Sequence, residues 1–451
     1  MTVLLYTLGV LVFAVAILAS IGLHELGHMI PAKRFGGKVT QYFIGFGPTV
    51  WSKQVGETEY GLKAVPLGGY VKIVGMLPPG ADQLAETVEV DAAGNQVLKV
   101  RKSNTGMFTQ LISDARAAEW ETITPADSDR LFYKMPWWKK VVVMAGGPTV
   151  NILIAFGIFV GVFATYGNAG DPTVETTVDE VSACVKPADE SGEVCTPEEL
   201  AEQPTPAYQA GIEPGDEMVS FNGVAITSWD QMQRLVRDNG TAQATVVVER
   251  DGERLTFQTT TVVRPPDKAG GKTNEKVGFL GVSPRMHPTT GGVFYTLGQM
   301  GHMTVDVVKA LGTLPAKVWG VAQAIVGVKE RDPQGPVSIV GGGRLAGETA
   351  SHDEIPVKEK MVSLLMLVAG FNFFIGMFNF VPLLPLDGGH IAGALWEALR
   401  RGWARVRRRP DPGYVDVAKL LPIAYVVGLA ILVMGVVLIV GDLVVPVHLE
   451  S

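Results

Sequence analysis

SIGLHELGHMI, residues 20–30, closes an apolar run that extends from about Val3 to Ile30, long enough to cross a bilayer as a helix, which needs about 20 such residues. On a helix, positions four apart share one face. His24 and His28 can therefore reach a single metal ion while Glu25 projects beside it. An ionisable side chain at membrane depth costs about 3 kcal/mol even on the gentler insertion scale, and three fall here within five residues. Zinc compensates such a cluster, because neutral imidazoles donate to the cation and nearby carboxylates are stabilised by it.

Catalytic zinc takes three protein ligands and leaves one position open, so a third donor is expected elsewhere. The stretch NFVPLLPLDGGH, residues 379–390, offers Asp387 in an otherwise apolar run, where a carboxylate has little reason to sit unless it is paired. Pro382 and Pro385 interrupt a helix and free backbone carbonyls, which only protein or a water-filled cavity can satisfy. His390 is a tempting fourth ligand, but a fourth would close the water site, so it reads as support around the metal. Asn151, also in an apolar run, reads as a brace for the site or as an interhelical hydrogen bond.

Four runs are long and apolar enough to span: residues 1–30, 141–166, 361–399 and 421–446. The first lacks a basic leader and a small-residue cleavage site, so it reads as retained. Of 451 residues only 18% are charged, against about a quarter in soluble proteins, which also points to lipid. Basic residues gather beside the spans: Lys33, Arg34 and Lys38; Lys134, Lys139 and Lys140; and the run Arg400 to Arg409. These ends are expected to be cytoplasmic, with both termini and residues 167–360 outside. The metal site would then open near the cytoplasmic side of a plasma-membrane protein. No long basic tract with interleaved aromatics appears, and nucleic acid is excluded as a partner. The two cysteines, Cys184 and Cys195, lack CxxC spacing. Placed outside the cell, they are free to pair, and are read as a possible disulfide.

Between the spans, residues 31–140 divide into a glycine-punctuated, β-branched stretch, Gly36 to Gly75, expected as a sheet against the membrane, and a polar connector from Pro78 to Lys140. Residues 167–290 begin with an acidic, irregular piece. They continue with a turn at Glu213–Asp216, a hairpin at Asn222-Gly223, an amphipathic helix near Trp229–Val236 and two alternating strands. This pattern, about residues 205–265, resembles a PDZ domain, which docks extended peptides and peptide ends by strand addition. Residues 291–360 read as amphipathic or membrane-skimming, and residues 400–420 as a basic loop.

Taken together, HELGH, GFGP (45–48), PLGGYVKI (66–73), AGGPTVNILIAF (145–156), GPVSI (335–339) and NFVPLLPLDGGH closely resemble the site-2 proteases. The likeness is to the bacterial branch that includes the regulator of sigma-E protease, and most to actinobacterial members with a single PDZ domain. It implies a polytopic α-helical membrane protein of four transmembrane helices, with a membrane-associated β-sheet and an extracytoplasmic α+β PDZ domain. It further implies His24, His28 and Asp387 as zinc ligands, Glu25 as general base and Asn379 as a holder of substrate or oxyanion. The strand segment carrying Gly45, Gly47, Gly68 and Gly69 is implied to pair with substrate. One departure is AGGPTVN, where the family more often shows AGP and follows the Asn with Phe rather than Ile152. The implied activity is hydrolysis of transmembrane proteins such as anti-sigma factors, after another protease has trimmed them. An inactive PDZ scaffold and a metal-ion transporter are the rival readings. A scaffold has no need of both HELGH and Asp387, and a transporter needs a polar path that these residues, gathered near one face, do not provide.

Overall fold

The computed structural model describes residues 2–78, 87–90, 96–99, 107–120, 123–186, 194–263 and 278–447. They form two compact units, Met1–Val162 with Gly292–Ser451, and Phe163–Gly291. Part of the 78–140 connector and residues 187–193 of the acidic piece lie outside the described residues.

The chain opens with α1 (Thr2–Arg34), β1 (Val39–Val55), β2 (Thr58–Ile73), the short β3 (Thr87–Val90) and β4 (Gln96–Lys99), α2 (Met107–Trp120) and α3 (Trp137–Thr165). In α1 the buried positions Gly9, Phe13, Ile17, Ser20, Glu25, His28 and Ala32 recur every three to five residues, so one helical face turns inward and carries the HELGH side chains. The inward face of α3 follows the same period through Lys140, Val143, Gly147, Asn151, Ala155 and Phe159.

β1 and β2 are long, bent and paired antiparallel over two registers. Tyr42, for example, pairs with both Val71 and Tyr60. Positive-φ glycines, among them Gly45 (φ 93°) and Gly68 (φ 93°), make the bends that let so short a sequence fold back on itself. Residues 69–73 pair with 39–44 on one side, and no other strand pairs with them among the described residues.

The second unit holds β5 (Asn168–Val181), α4 (Pro197–Glu202), α5 (Pro206–Ala210), β6 (Glu217–Phe221), β7 (Val224–Ala225), α6 (Trp229–Asn239), β8 (Gln243–Arg250), β9 (Glu253–Thr260), β10 (Val262–Val263), β11 (Gly278–Phe279) and β12 (Val282–Thr289). Its main sheet runs β12-β5-β6-β8-β9, with β7 beside β6. Local chemistry sets the elements. Ser228 caps α6, whose Trp229, Met232 and Val236 are buried, and Asn222 (φ 49°) and Gly223 (φ 80°) turn the expected hairpin. In the Glu213–Asp216 turn, the buried Asp216 accepts from Glu213 N at 2.9 Å and from Arg250 Nε at 2.6 Å. The sheet also takes in β5, which begins in the stretch expected to be irregular, and β12. Both lie outside residues 205–265 and pair across about a hundred residues of chain, beyond the reach of any local period. Cys184 and Cys195 are disulfide-bonded.

The chain returns to the first unit with α7 (Val293–Ile325), α8 (Ile339–Ser351), α9 (Val357–Asn379), α10 (Asp387–Val406) and α11 (Leu421–Val444). Among the described residues four helices are long and apolar enough to cross a membrane: α1, α3, α9 and the segment Val417–Val444 that contains α11. The stretch 361–399, expected as one span, is two helices, because the Pro382/Pro385 turn ends α9 at Asn379 and α10 starts at Asp387. Within the 291–360 segment, α8 is a small-residue helix lying against α1. Ala346 is buried with Phe13 and Ile17, and a Cβ on Gly342 would meet Phe13 and Phe371.

Candidate metal centre

The inward faces of α1 and α3 meet the start of α10 at a cavity of about 400 Å³. His24 Nε2 and His28 Nε2 are 3.2 Å apart. Asp387 Oδ2 lies 3.4 Å from the first and 3.3 Å from the second. Among the described residues these three form the only group of His, Cys, Asp or Glu donors close enough to share an ion. Zinc bonded tetrahedrally at about 2.0–2.1 Å sets its ligand atoms about 3.3–3.4 Å apart, so the donor triangle has the size zinc requires. Buried nitrogens and a carboxylate in a mostly apolar wall are also the donor types it prefers.

Two of the three donors are held from behind, His28 and Asp387, while His24 Nδ1 is buried without a hydrogen-bond partner. Val143 O accepts from His28 Nδ1 at 2.8 Å, and since a carbonyl only accepts, the proton sits on Nδ1 and Nε2 keeps its lone pair for the metal. Asp387 is the first residue of α10, whose Gly388 and Gly389 pack against the backbone of residues 380–384, leaving no room for a Cβ. Further along α10, Glu397 is buried against Lys140 of α3 at 2.7 Å.

Glu25 is buried one residue from His24, and its Cγ lies 3.0 Å from where a Cβ on Gly69 would stand. Asn379, at the end of α9, donates to Ile375 O at 3.1 Å. It lines the cavity together with Asn151, Gly68, Gly69 and His390. The Asn151 Oδ1 is buried without a hydrogen-bond partner. His390 is not part of the donor triangle. Gly45 and Gly47 are not brought to this cavity; they stand at bends of β1, against Lys63 and Val65.

Sequence reasoning passed over two contributors. Gly147 packs directly on the His28 ring, and Gly27 and Gly146 let α1 and α3 touch backbone to backbone. The doubled glycine of AGGP was the available signal. The second is Glu119 of α2, which accepts from Met76 N at 2.5 Å and Leu77 N at 3.1 Å and so fixes the turn after β2, where Met76 lines the cavity. Burial pushes the Glu119 carboxyl up to about 7.

A HExxH helix, a distant aspartate and a carboxylate beside them, set among apolar helices, are the parts of a membrane-embedded metallopeptidase. The description "Peptidase family M50" matches residues 12–415, and the chain belongs to that family. It is 35% identical to the zinc metalloprotease Rip1 of Mycobacterium tuberculosis, over 99% of this chain and all of the relative. It is 33% identical to Rip1 of Mycolicibacterium smegmatis, over 94% of each. It is 24% identical to the regulator of sigma-W protease RasP of Bacillus subtilis, over 90% of this chain and 93% of the relative. The chain is a multi-pass membrane protein and a zinc metalloendopeptidase of the site-2 protease type.

Proposed function

We propose that the chain hydrolyses peptide bonds in or near transmembrane segments of other membrane proteins, with His24, His28 and Asp387 holding zinc and Glu25 as general base. The observation that carries this reading is the donor triangle, with Glu25 beside it and a strand edge along the same cavity wall. Zinc, when bound, supplies Lewis acidity that polarises the scissile carbonyl and acidifies the attacking water. Glu25 takes the proton from that water at its carboxylate and delivers it to the leaving amine. A helical substrate hides its backbone, so it must unwind before it is cut. The unpaired edge of residues 68–73 receives the unwound segment by main-chain hydrogen bonds, Gly68 and Gly69 allowing close approach. Asn379 and the unpartnered Asn151 Oδ1 then hold its peptide groups in place.

We read the substrates as anti-sigma factors, cut after a first protease has trimmed them; a relative named regulator of sigma-W protease fits a substrate in sigma-factor control. The second unit carries a groove of about 570 Å³ between α6 and the Gly278–Pro284 stretch. We read it as a PDZ site that inspects peptide ends on the outer face, with β12 as the strand that pairs. Deleting residues 206–263 then admits untrimmed substrates, and unchanged selectivity rejects the filter. The metal site itself faces the cytoplasmic side and both termini face out.

Glu25→Ala tests the central reading. General base catalysis contributes about 100- to 10,000-fold, so cleavage of a reconstituted membrane substrate falls by at least the lower figure while bound zinc persists. Cleavage at the wild-type rate would remove Glu25 from the mechanism.

A further inference from the structure

Helix α10 changes character along its length. Its first turns are packed inward, with Gly388, Gly389, Ala394 and Glu397 buried. On its outer side Trp396, Leu399, Trp403 and Val406 are 57%, 65%, 60% and 79% exposed. Their spacing places them on one stripe of the helix. Six arginines crowd the same stretch. Arg401 turns inward to Glu397 and Asp411, each at 3.3 Å, and Arg400 donates to Pro412 O at 2.8 Å. Arg407 lies over the Trp403 ring, 4.3 Å from its centroid. Arg405, Arg407, Arg408 and Arg409 are exposed and pair with no carboxylate among the described residues. The next apolar segment begins at Val417, so the stripe sits beside the point where the chain enters the bilayer.

Two tryptophans and two aliphatic side chains this exposed on one helix stripe are out of place in water. A helix lying in the headgroup layer uses them: its apolar stripe sinks to the acyl boundary while cations meet lipid phosphates. The cations here are all arginine, whose guanidinium fork matches phosphate oxygens two at a time. A charge run alone would mark only topology; the added observation is an apolar stripe on the helix that leads directly into it, α10 carrying Arg405 and ending at Val406, just before Arg407, Arg408 and Arg409.

We propose that residues 395–409 are an interfacial anchor that binds anionic lipid headgroups through Arg405, Arg407, Arg408 and Arg409, holding the far end of the helix that starts at Asp387 at the bilayer surface. The occupant is phospholipid, because the stripe supplies acyl contact that a free anion does not need.

Native mass spectrometry of the purified full chain tests this, counting phosphatidylglycerol and phosphatidylcholine retained from mixed micelles. Wild type is compared with a variant carrying Arg405→Gln, Arg407→Gln, Arg408→Gln and Arg409→Gln, and with its all-lysine counterpart, which keeps charge and helix. Wild type retains phosphatidylglycerol preferentially, the glutamine variant loses at least about tenfold of that preference, and the lysine variant keeps most of it. Excess inorganic phosphate leaves retention unchanged. Equal retention by wild type and the glutamine variant overturns the proposal, as does displacement of the lipid by inorganic phosphate. Loss of a dimer in the glutamine variant with lipid retention intact assigns the stripe to a second copy and also overturns it. The readout is independent of zinc and cleavage, so failure here leaves the metal site untouched.

Discussion

In the second unit Val178, Val246 and Val248 are fully buried, while Glu253 and Arg254 face out. In the first unit Leu4, Leu429 and Leu432 are 72%, 62% and 63% exposed, while Lys140, Glu397, Asn151 and Asp442 are buried. The same forces act on both; only the solvent differs. Where water surrounds the fold, burying apolar area is the main driving force. Where lipid does, a Leu outside is as well placed as a Leu inside, and the interior is specified by packing and by polar groups that must find each other. The first unit pairs them accordingly. Lys140 meets Glu397, and Asp442 takes Arg331 Nη2 at 3.0 Å and Ser338 N at 2.6 Å. His24, His28 and Asp387 are brought together in the same way, three polar donors meeting in an apolar interior.

If that contrast is right, the largest stability effect comes from splitting a buried pair. Glu397→Ala strands the Lys140 ammonium and destabilises the first unit by about 3–5 kcal/mol. Replacing both with apolar residues of similar volume recovers most of the loss. Thermal unfolding in lipid nanodiscs reads both. A double variant as unstable as the single one breaks the comparison.

Glycines sharpen it next. In the first unit Gly147 is small because the His28 ring occupies the space of its Cβ. In the second unit Gly223 has open space and is glycine for its backbone, at φ 80°. Gly147→Val displaces the His28 ring and is expected to lower cleavage by about 100-fold along with zinc content. Gly223→Ala costs about 1 kcal/mol of the second unit's stability and leaves zinc content alone. Zinc loss in the second variant, or none in the first, contradicts the contrast.

Glu119 tests a polar group outside the spans, through pH alone. Its pKa is raised by burial, against the pull of the Met76 and Leu77 N–H groups. Between the ordinary carboxylate value and about 7 the folded protein therefore binds a proton that the unfolded chain does not. Stability falls as pH rises through that window. Glu119→Gln removes this dependence, so wild type loses ground to the variant between pH 5 and about 7.5. Parallel unfolding midpoints across that range would show that Glu119 ionises freely.

How much of this was readable in advance follows from the same contrast. HELGH stands out because two histidines four apart on one helix are a local pattern. Asp387 could be read because a carboxylate in an apolar run stands out by its cost. The Asn222-Gly223 hairpin and the Trp229 helix carry their own turn and period. The pairing of β5 with β12, the seating of α8 on α1 and the Glu119 clamp join segments far apart in the chain and leave no period behind. The doubled glycine of AGGP marks Gly147, but the reason for it, the His28 ring lying against it, shows only in the fold. The break between α9 and α10 was announced by Pro382 and Pro385, but that a separate helix starts at Asp387 depends on how tightly Gly388 and Gly389 fold onto the turn before them.

Metal analysis of the purified wild-type, Glu25→Ala and Asp387→Ala proteins addresses the central claim most directly. About one zinc per chain is expected in the first two, from the one three-donor group among the described residues, and little in the third, where the carboxylate 3.3–3.4 Å from both histidines is gone. An Asp387→Ala protein that keeps its zinc and still cleaves would contradict the account.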